Sequence, residues 1–246
     1  MKEFLTKLSY ALILPLFFTS HAFALDGTEV LKKVDANLQP ESFESYRKLI
    51  NIEPSGAKRE FLLWTLKKGQ DKVVSLFLSP ASEKGRATLR LGDNMWLYIP
   101  NVGKPVRITS LQSVVGGVFN NADIMRLDYH VEYDVQKIAD ENTRYVLDLK
   151  AKTGAVAYDK LKMWVDKKAI VPTKVECYAA TGLLIKTLYF KEIKSFEEIL
   201  RPSVIETDSP LYKGYQSIMA YANVKKRVVP DEVFTLEFLP KIETVR

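Results

Sequence analysis

Few side chains in this sequence have chemistry suited to catalysis. Cys177 is the single cysteine, and the two histidines are His21 and His130. A lone cysteine cannot form an intramolecular disulfide bond, and nothing near it indicates a cysteine–histidine nucleophilic pair. Cys177 alternates with Val175, which predicts that its thiol faces an apolar core. His130 lies between an aromatic residue and a valine, and we interpret it as a strand residue rather than a base or ligand.

Acidic residues are the other candidates for chemistry. Asp123, Asp128, Glu132 and Asp134 cluster in the sequence, and two carboxylates at a suitable separation can hydrolyse a glycosidic bond. Acids scattered over turns and strand faces are equally commonplace. The sequence has no nucleophile elbow, phosphate-binding loop, zinc-ligand spacing or calcium loop. We therefore predict that the protein is not an enzyme and uses no metal or cofactor.

The first 24 residues predict a cleaved signal peptide. Lys2 and Lys7 precede a short apolar run over residues 8–18, and Ala22 and Ala24 are the small residues that precede a cleavage site. The run is too short to span a bilayer comfortably, and the residue directly after the site is Leu25 rather than a cysteine that could carry a lipid. We expect a periplasmic protein in which residues 25–246 form one domain.

The composition is that of an ordinary globular domain. The chain is 47% hydrophobic and 27% charged, with a formal net charge of +6. Basic and acidic residues are interspersed, so the sequence predicts no nucleic-acid surface. The net positive charge fits either a mild attraction to anionic membrane surfaces or an ordinary solvated surface. We expect a monomer.

The elements that must position these residues are mostly β-strands. One helix is predicted from Asp26 or Thr28, which can cap it, to Pro40, which ends it. Beyond it, apolar and polar residues alternate with a period of two, as in the segment Leu161, Met163 and Val165. Short turn signals separate these segments, and short connections require antiparallel neighbours. The sequence predicts an antiparallel meander.

Two features interrupt the alternation. Residues 61–64 and 73–78 are apolar on both faces, and such strands need cover on each side. The N-terminal helix could cover one face, and the other must contact more protein or a bound apolar ligand. Between Thr109 and Asp128 the pattern instead predicts two short helices, one over residues 111–115 and one capped by Asn120 or Asn121, joined through Gly116-Gly117. Such an insert could form a flap over a mouth or a plug in a barrel.

Four segments, in this order, resemble the outer-membrane lipoprotein-sorting proteins, the LolA-like group of the LolA/LolB superfamily of periplasmic carriers. They are residues 96–100 (W-L-Y-I-P), the Gly116–Phe119–Asp123 spacing followed by Asp128-Tyr129, the paired segments 158–166 and 172–188, and residues 229–239. The resemblance implies an incompletely closed antiparallel β-barrel, mainly β in class, with an N-terminal helix and short helices covering its concave face.

The same resemblance implies a carrier. It would bind the acyl chains of a lipid or lipoprotein in a hydrophobic cavity, shuttle them between membranes, contact membrane surfaces transiently and work with an inner-membrane transporter of the resistance–nodulation–division (RND) type. A lipid-binding sensor that transfers nothing, or an envelope scaffold of the same fold, is the alternative. From the apolar strands and the insert we predict the residues that line the cavity: Leu62, Trp64, Leu66, Trp96, Tyr98, Val115, Phe119, Ile124 and Met125.

The signal-peptide prediction has a direct test. We expect the exported protein to begin at Leu25, because Ala22 and Ala24 precede that residue. N-terminal sequencing of exported material gives the outcome. An intact Met1, or protein that stays with membranes after a carbonate wash, would contradict it.

Overall fold

A computed structural model describes residues 26–246. The predicted signal peptide, residues 1–24, lies outside the described residues. The first helix, α1, spans Gly27–Leu38, and the Asp26 side chain caps it by accepting a hydrogen bond of 2.8 Å from the Thr28 main-chain N–H. The helix prediction is therefore confirmed. Within residues 26–246, no helix is both long and apolar enough to cross a membrane.

Within the described residues, thirteen antiparallel strands form one sheet. They are β1 (Ser42–Ile52), β2 (Lys58–Lys68), β3 (Lys72–Ser79), β4 (Ala87–Leu91), β5 (Asn94–Tyr98), β6 (Val106–Ile108), β7 (Tyr133–Glu141), β8 (Arg144–Ala151), β9 (Lys160–Asp166), β10 (Val171–Tyr178), β11 (Leu184–Phe196), β12 (Ile199–Asp208) and β13 (Gln216–Lys226). The order across the sheet is β6-β5-β4-β3-β2-β1-β13-β12-β11-β10-β9-β8-β7.

The sheet is an incompletely closed barrel, as predicted. Every pair of neighbours is consecutive in the chain except β1 and β13, and β6 and β7 are the two edges. Because those edge strands follow one another in sequence, residues 109–132 must cross from one edge to the other. We call residues 109–132 the insert.

The insert contains two one-turn helices, α2 (Asn121–Ile124) and α3 (Tyr129–Glu132). The prediction of a helix capped by Asn120 is confirmed, because Asn120 and Asp123 form a reciprocal capping box. The predicted helix over residues 111–115 is wrong: this stretch is a series of turns. Val115 adopts a positive φ of 47°, which no right-handed helix tolerates. His130 lies in α3, so its assignment to a strand is also wrong.

The sheet buries side chains on both faces. Its concave face packs against α1 and the insert, with Leu31, Leu63, Leu147 and Met163 among the buried residues. On the outer face, the segment after β13 lies across β2 to β5. This segment contains two 3₁₀ helices, Asp231–Phe234 and Leu239–Val245. Its apolar side chains cover the outward side chains of the strands: Trp64, Leu66, Val74, Leu76, Ala87 and Leu89.

Different parts of the chain cover the two apolar faces of β2 and β3. Their inner face meets α1 and the insert, and their outer face meets the C-terminal segment. Protein therefore covers both sides of β2 and β3.

The outer layer should contribute strongly to stability. Phe234 is 3% exposed in the outer cluster, so Phe234→Ala should lower the free energy of unfolding by about 3–5 kcal/mol through the cavity it leaves. The control is Val228, which precedes the same segment and is 95% exposed. Val228→Ala should change the free energy of unfolding by less than about 0.5 kcal/mol. Urea denaturation measures both, and equal small effects would show that the segment packs loosely.

Candidate ligand-binding face and its covering insert

The insert lies on the concave face with its apolar side chains inward. Phe119, Ile124 and Met125 are buried in one cluster with Phe61 and Leu63 of β2. Backbone geometry brings the start of the insert unusually close to the sheet. A Cβ atom on Gly117 would lie 2.1 Å from Asn51 Oδ1, so any larger residue would have to displace the Asn51 side chain. Gly116 beside it has a φ of +73°, which also favours glycine.

A buried ion pair fixes the first half of the insert. Asp123 of α2 lies 2.8 Å from Lys186 Nζ of β11, and both side chains are almost fully buried. The same Nζ donates a 2.5 Å hydrogen bond to the Val118 carbonyl oxygen, and Tyr158 OH donates to the Asp123 carboxylate at 2.9 Å. Burial opposes ionisation of Asp123, but Lys186 and Arg126 outweigh it and hold the pKa of this carboxyl below its ordinary value.

Cations of the sheet hold the second half. Arg47 donates to the Ile124 carbonyl oxygen at 3.0 Å, and Arg90 donates to that of Met125 at 3.1 Å. Arg90 also forms an ion pair with Glu132, and Lys67 Nζ lies 3.1 Å from Asp128 Oδ1. These cations project from the same face of the sheet as the core residues.

Helix α1 also contacts the insert. Its Asp35 carboxylate accepts hydrogen bonds from the main-chain N–H groups of Tyr129 and His130, at 2.7 and 2.8 Å. It also lies 2.8 Å from His130 Nδ1. Burial raises the pKa of Asp35 to about 6, although these hydrogen bonds favour the carboxylate. Of the four acids considered as catalytic candidates, Asp123, Asp128 and Glu132 each have a basic partner in the sheet. The fourth, Asp134, lies 3.7 Å from Lys152 Nζ at the surface.

The nine predicted cavity residues divide between two faces. Val115, Phe119, Ile124 and Met125 lie against the concave face as expected. Trp64, Leu66, Trp96 and Tyr98 belong to the outer cluster under the C-terminal segment, and Leu62, which shares the strand side of Trp64, is partly exposed. The structure therefore does not bring the two groups together. Side chains of alternate strand positions, Phe61, Leu63 and Met95, meet the insert instead; the role of all nine in lipid binding stays a prediction.

Sequence analysis missed the charged residues of the concave face. Arg47, Lys67, Arg90 and Lys186 are each at most 4% exposed, whereas basic residues in strands usually face solvent. One signal was available: Lys67 shares the strand side of Phe61 and Leu63. The prediction for Cys177 is confirmed, because its side chain is buried in the core and burial raises the pKa of its thiol.

Comparisons with known proteins agree with this architecture. A family model described as "uncharacterized protein" matches residues 69–241. A LolA superfamily protein from Nitrosomonas europaea superposes with a TM-score of 0.79 at 27% identity, covering 87% of this chain and 100% of that one. The chain belongs to the LolA-like superfamily. A search of curated proteins found no significant match.

Two further solved structures share the LolA-like fold. A DUF1329 family protein from Desulfovibrio piger has a TM-score of 0.76 at 22% identity, covering 87% of this chain and 97% of its own. An outer membrane lipoprotein-sorting protein domain from Vibrio parahaemolyticus has a TM-score of 0.72 at 21% identity, covering 87% of this chain and 98% of its own.

The Lys186–Asp123 pair should be essential to this LolA-like domain. Lys186→Met leaves a buried carboxylate without its main partner, which should cost about 3–5 kcal/mol of unfolding free energy. Adding Asp123→Asn removes the unpaired charge and should restore part of the lost unfolding free energy. Lys191→Met is the control on the same strand, because its pair with Glu206 is exposed and should contribute at most about 1 kcal/mol.

The pair should also show a defined pH dependence. Because the folded-state pKa of Asp123 is below its ordinary value of 3.8, its stabilising contribution is present above pH 3.8 and is lost as the pH falls through the lowered pKa. The stability difference between the wild type and Lys186→Met should therefore shrink below about pH 4. Urea denaturation at several pH values measures it, and a difference independent of pH would contradict the ion-pair explanation.

Proposed function

We propose that this LolA-like protein is a periplasmic, non-catalytic carrier that binds acyl chains of a lipid or lipoprotein between its concave face and the insert. The observation that carries the proposal is an apolar insert covering an apolar concave face while polar contacts hold its backbone. Membership of the LolA-like superfamily supports the proposal. A carrier of this kind needs no reactive group.

The acyl site would lie between two apolar surfaces. Phe61, Leu63 and Met95 supply the sheet side, and Phe119 and Ile124 supply the insert side. Each methylene group that leaves water contributes about 0.8 kcal/mol. Such a site offers an acyl chain about what a bilayer offers it, so loading and release are close to balanced. The direction of transfer then depends on the donor and acceptor membranes.

Loading requires the insert to move. In the described conformation Ile124 and Phe119 already fill the space over the sheet, so an acyl chain must displace them. The polar contacts of Arg47, Arg90 and Lys186 favour the closed state, and the ligand must bind the open state more tightly to shift the population. The glycines at 116 and 117 lie where the insert would turn.

One end of the sheet suits contact with a membrane. The loops over residues 99–105, 179–183 and 209–215 follow strands that run in the same direction, so they lie at this end. Their tips carry four apolar side chains that are more than half exposed: Val102, Leu183, Leu211 and Tyr212. Lys104 and Lys213 in the same loops suit anionic lipids. We propose transient membrane contact here and an RND-type transporter as the inner-membrane partner.

Lipid retention by insert variants tests the carrier proposal. Ile124→Glu should abolish lipid retention and leave the sheet folded, because an unpaired charge is costly in the apolar site. Leu161→Glu, in the core of β9, should instead unfold the domain, and Ile124→Val should behave like the wild type. Native mass spectrometry and circular dichroism give the two readouts. Retention of lipid by Ile124→Glu, or absence of lipid from the wild type, would refute the acyl site.

A second measurement separates the carrier from its alternatives. The carrier should pass its bound lipid to acceptor vesicles, which a fluorescent lipid reports. A sensor would retain lipid without passing it on, and a scaffold would hold none.

A further inference from the structure

A row of buried hydroxyl groups crosses the concave face. Ser45, Thr65, Ser75 and Thr88 lie directly opposite one another on β1, β2, β3 and β4. All four are at most 6% exposed. Thr65 Oγ1 and Ser75 Oγ lie 3.0 Å apart, whereas the buried Ser45 hydroxyl has no hydrogen-bond partner among residues 26–246. A buried hydroxyl group that lacks a partner is costly, so the position favours a ligand that can supply one.

Cations surround this row. A closed cavity of about 10 Å³, close to the space that one water molecule needs, lies between the sheet and the insert. Its lining includes Ser45, Thr65, Arg47, Lys67 and Arg126, and none of the described residues that line it is acidic. Three basic side chains and two aliphatic hydroxyl groups thus meet at a small cavity whose lining also includes the apolar residues Phe43, Val73 and Ile124.

Two buried guanidinium groups at this place have no acidic partner in the part of the chain that the structure describes. Among residues 26–246, Arg47 bonds to Ile124 O, Thr65 Oγ1 and Met219 Sδ, and Arg201 bonds to Leu38 O. The Nε atom of each has no hydrogen-bond partner. A buried charge without a counter-charge is strongly destabilising.

Tyr221 lies between the two guanidinium groups. Arg201 Cζ is 4.0 Å and Arg47 Cζ is 5.8 Å from the centre of its ring. Burial opposes ionisation of Tyr221, yet Arg201 and Arg47 together lower the pKa of its hydroxyl. The interior is electropositive at this point.

The insert itself supplies carboxylates to two other cations of the concave face. Asp128 pairs with Lys67, and Glu132 pairs with Arg90, so both cations lose these partners when the insert moves away. An incoming anion would replace the acids of the insert and would also reach Arg47, which has no acid of its own.

We propose that the concave face binds the anionic headgroup of an amphiphile, a phosphate, against Ser45, Arg47 and Arg201, while its acyl chain lies on the apolar part of the same face. This inference rests on the proposed function, because it names the class of lipid that the carrier takes. The insert must be open for the headgroup to enter, since the closed cavity holds about one water molecule.

Calorimetric titration with short-chain lipids below their micelle concentrations tests the headgroup site. Dihexanoyl phosphatidic acid should bind at least about tenfold more tightly than dihexanoyl phosphatidylcholine, which corresponds to about 1.4 kcal/mol. Arg47→Met should remove this preference. Lys48→Met, which removes an exposed cation on the opposite face of the same strand, should leave it unchanged.

Ser45→Ala tests the headgroup site without removing a hydrogen bond of the described conformation. The Ser45 hydroxyl has no partner in the described conformation, so its removal should not lower the melting temperature of the ligand-free protein. It should weaken phosphatidic acid binding about tenfold, because one hydrogen bond to a charged group is lost. This variant keeps the test valid if Arg47→Met does not fold.

The outcomes separate the headgroup site from the carrier proposal. Equal affinity for both lipids, or a preference that survives in Arg47→Met and Ser45→Ala, would overturn the headgroup site and leave the carrier intact. If inorganic phosphate binds as tightly as phosphatidic acid and this binding is lost in Ser45→Ala, the site binds anions without any contribution from acyl chains. That result would overturn the proposal that the ligand is an amphiphile. If neither lipid binds but phosphate does, the carrier proposal fails and the anion site stands.

Discussion

The arrangement of the concave face depends on buried ionic contacts between the sheet and the insert. Lys186, Arg90 and Lys67 each meet a carboxylate of the insert, and the first two also bind its main-chain carbonyl groups. Apolar contact alone is not directional and would accept several registers. Charges removed from water require their partners at defined places, so we infer that these contacts fix one position of the insert on the sheet.

The two layers that cover the sheet differ in chemistry. The outer layer buries apolar side chains such as Phe234 and Leu239, and its Asp231 pairs with Lys68 and Lys72 at the surface. Lifting this layer would expose its apolar surface to water. The inner layer combines apolar contact with charged groups whose partners a ligand or water can replace. This difference suits the proposed carrier, in which the inner layer would move and the outer layer would stay in place.

Regular features of the sequence predicted the helix, the antiparallel meander and the capping box at Asn120, because each depends on local spacing. The apolar alternation of Leu161, Met163 and Val165 likewise identified a core face correctly. For β2 the sequence could not choose a side, since Phe61 and Leu63 are as apolar as Trp64 and Leu66. Only the C-terminal segment, more than 160 residues later, decides which side faces outward. The burial of Lys67 and Arg90 contradicts residue propensity and depends on partners that only the folded insert supplies.

The pairing of β1 with β13 has a consequence for how the chain acquires its fold. Every other pairing joins strands that are neighbours in sequence, so β1 to β6 and β7 to β13 can each assemble as a local meander. The seam between them joins Phe43 to Lys226, and closing so long a loop is entropically costly and slow. The seam therefore cannot form until nearly the whole chain is present. Until then β1 has one unpaired edge, and such an edge is a ready site for pairing with another molecule.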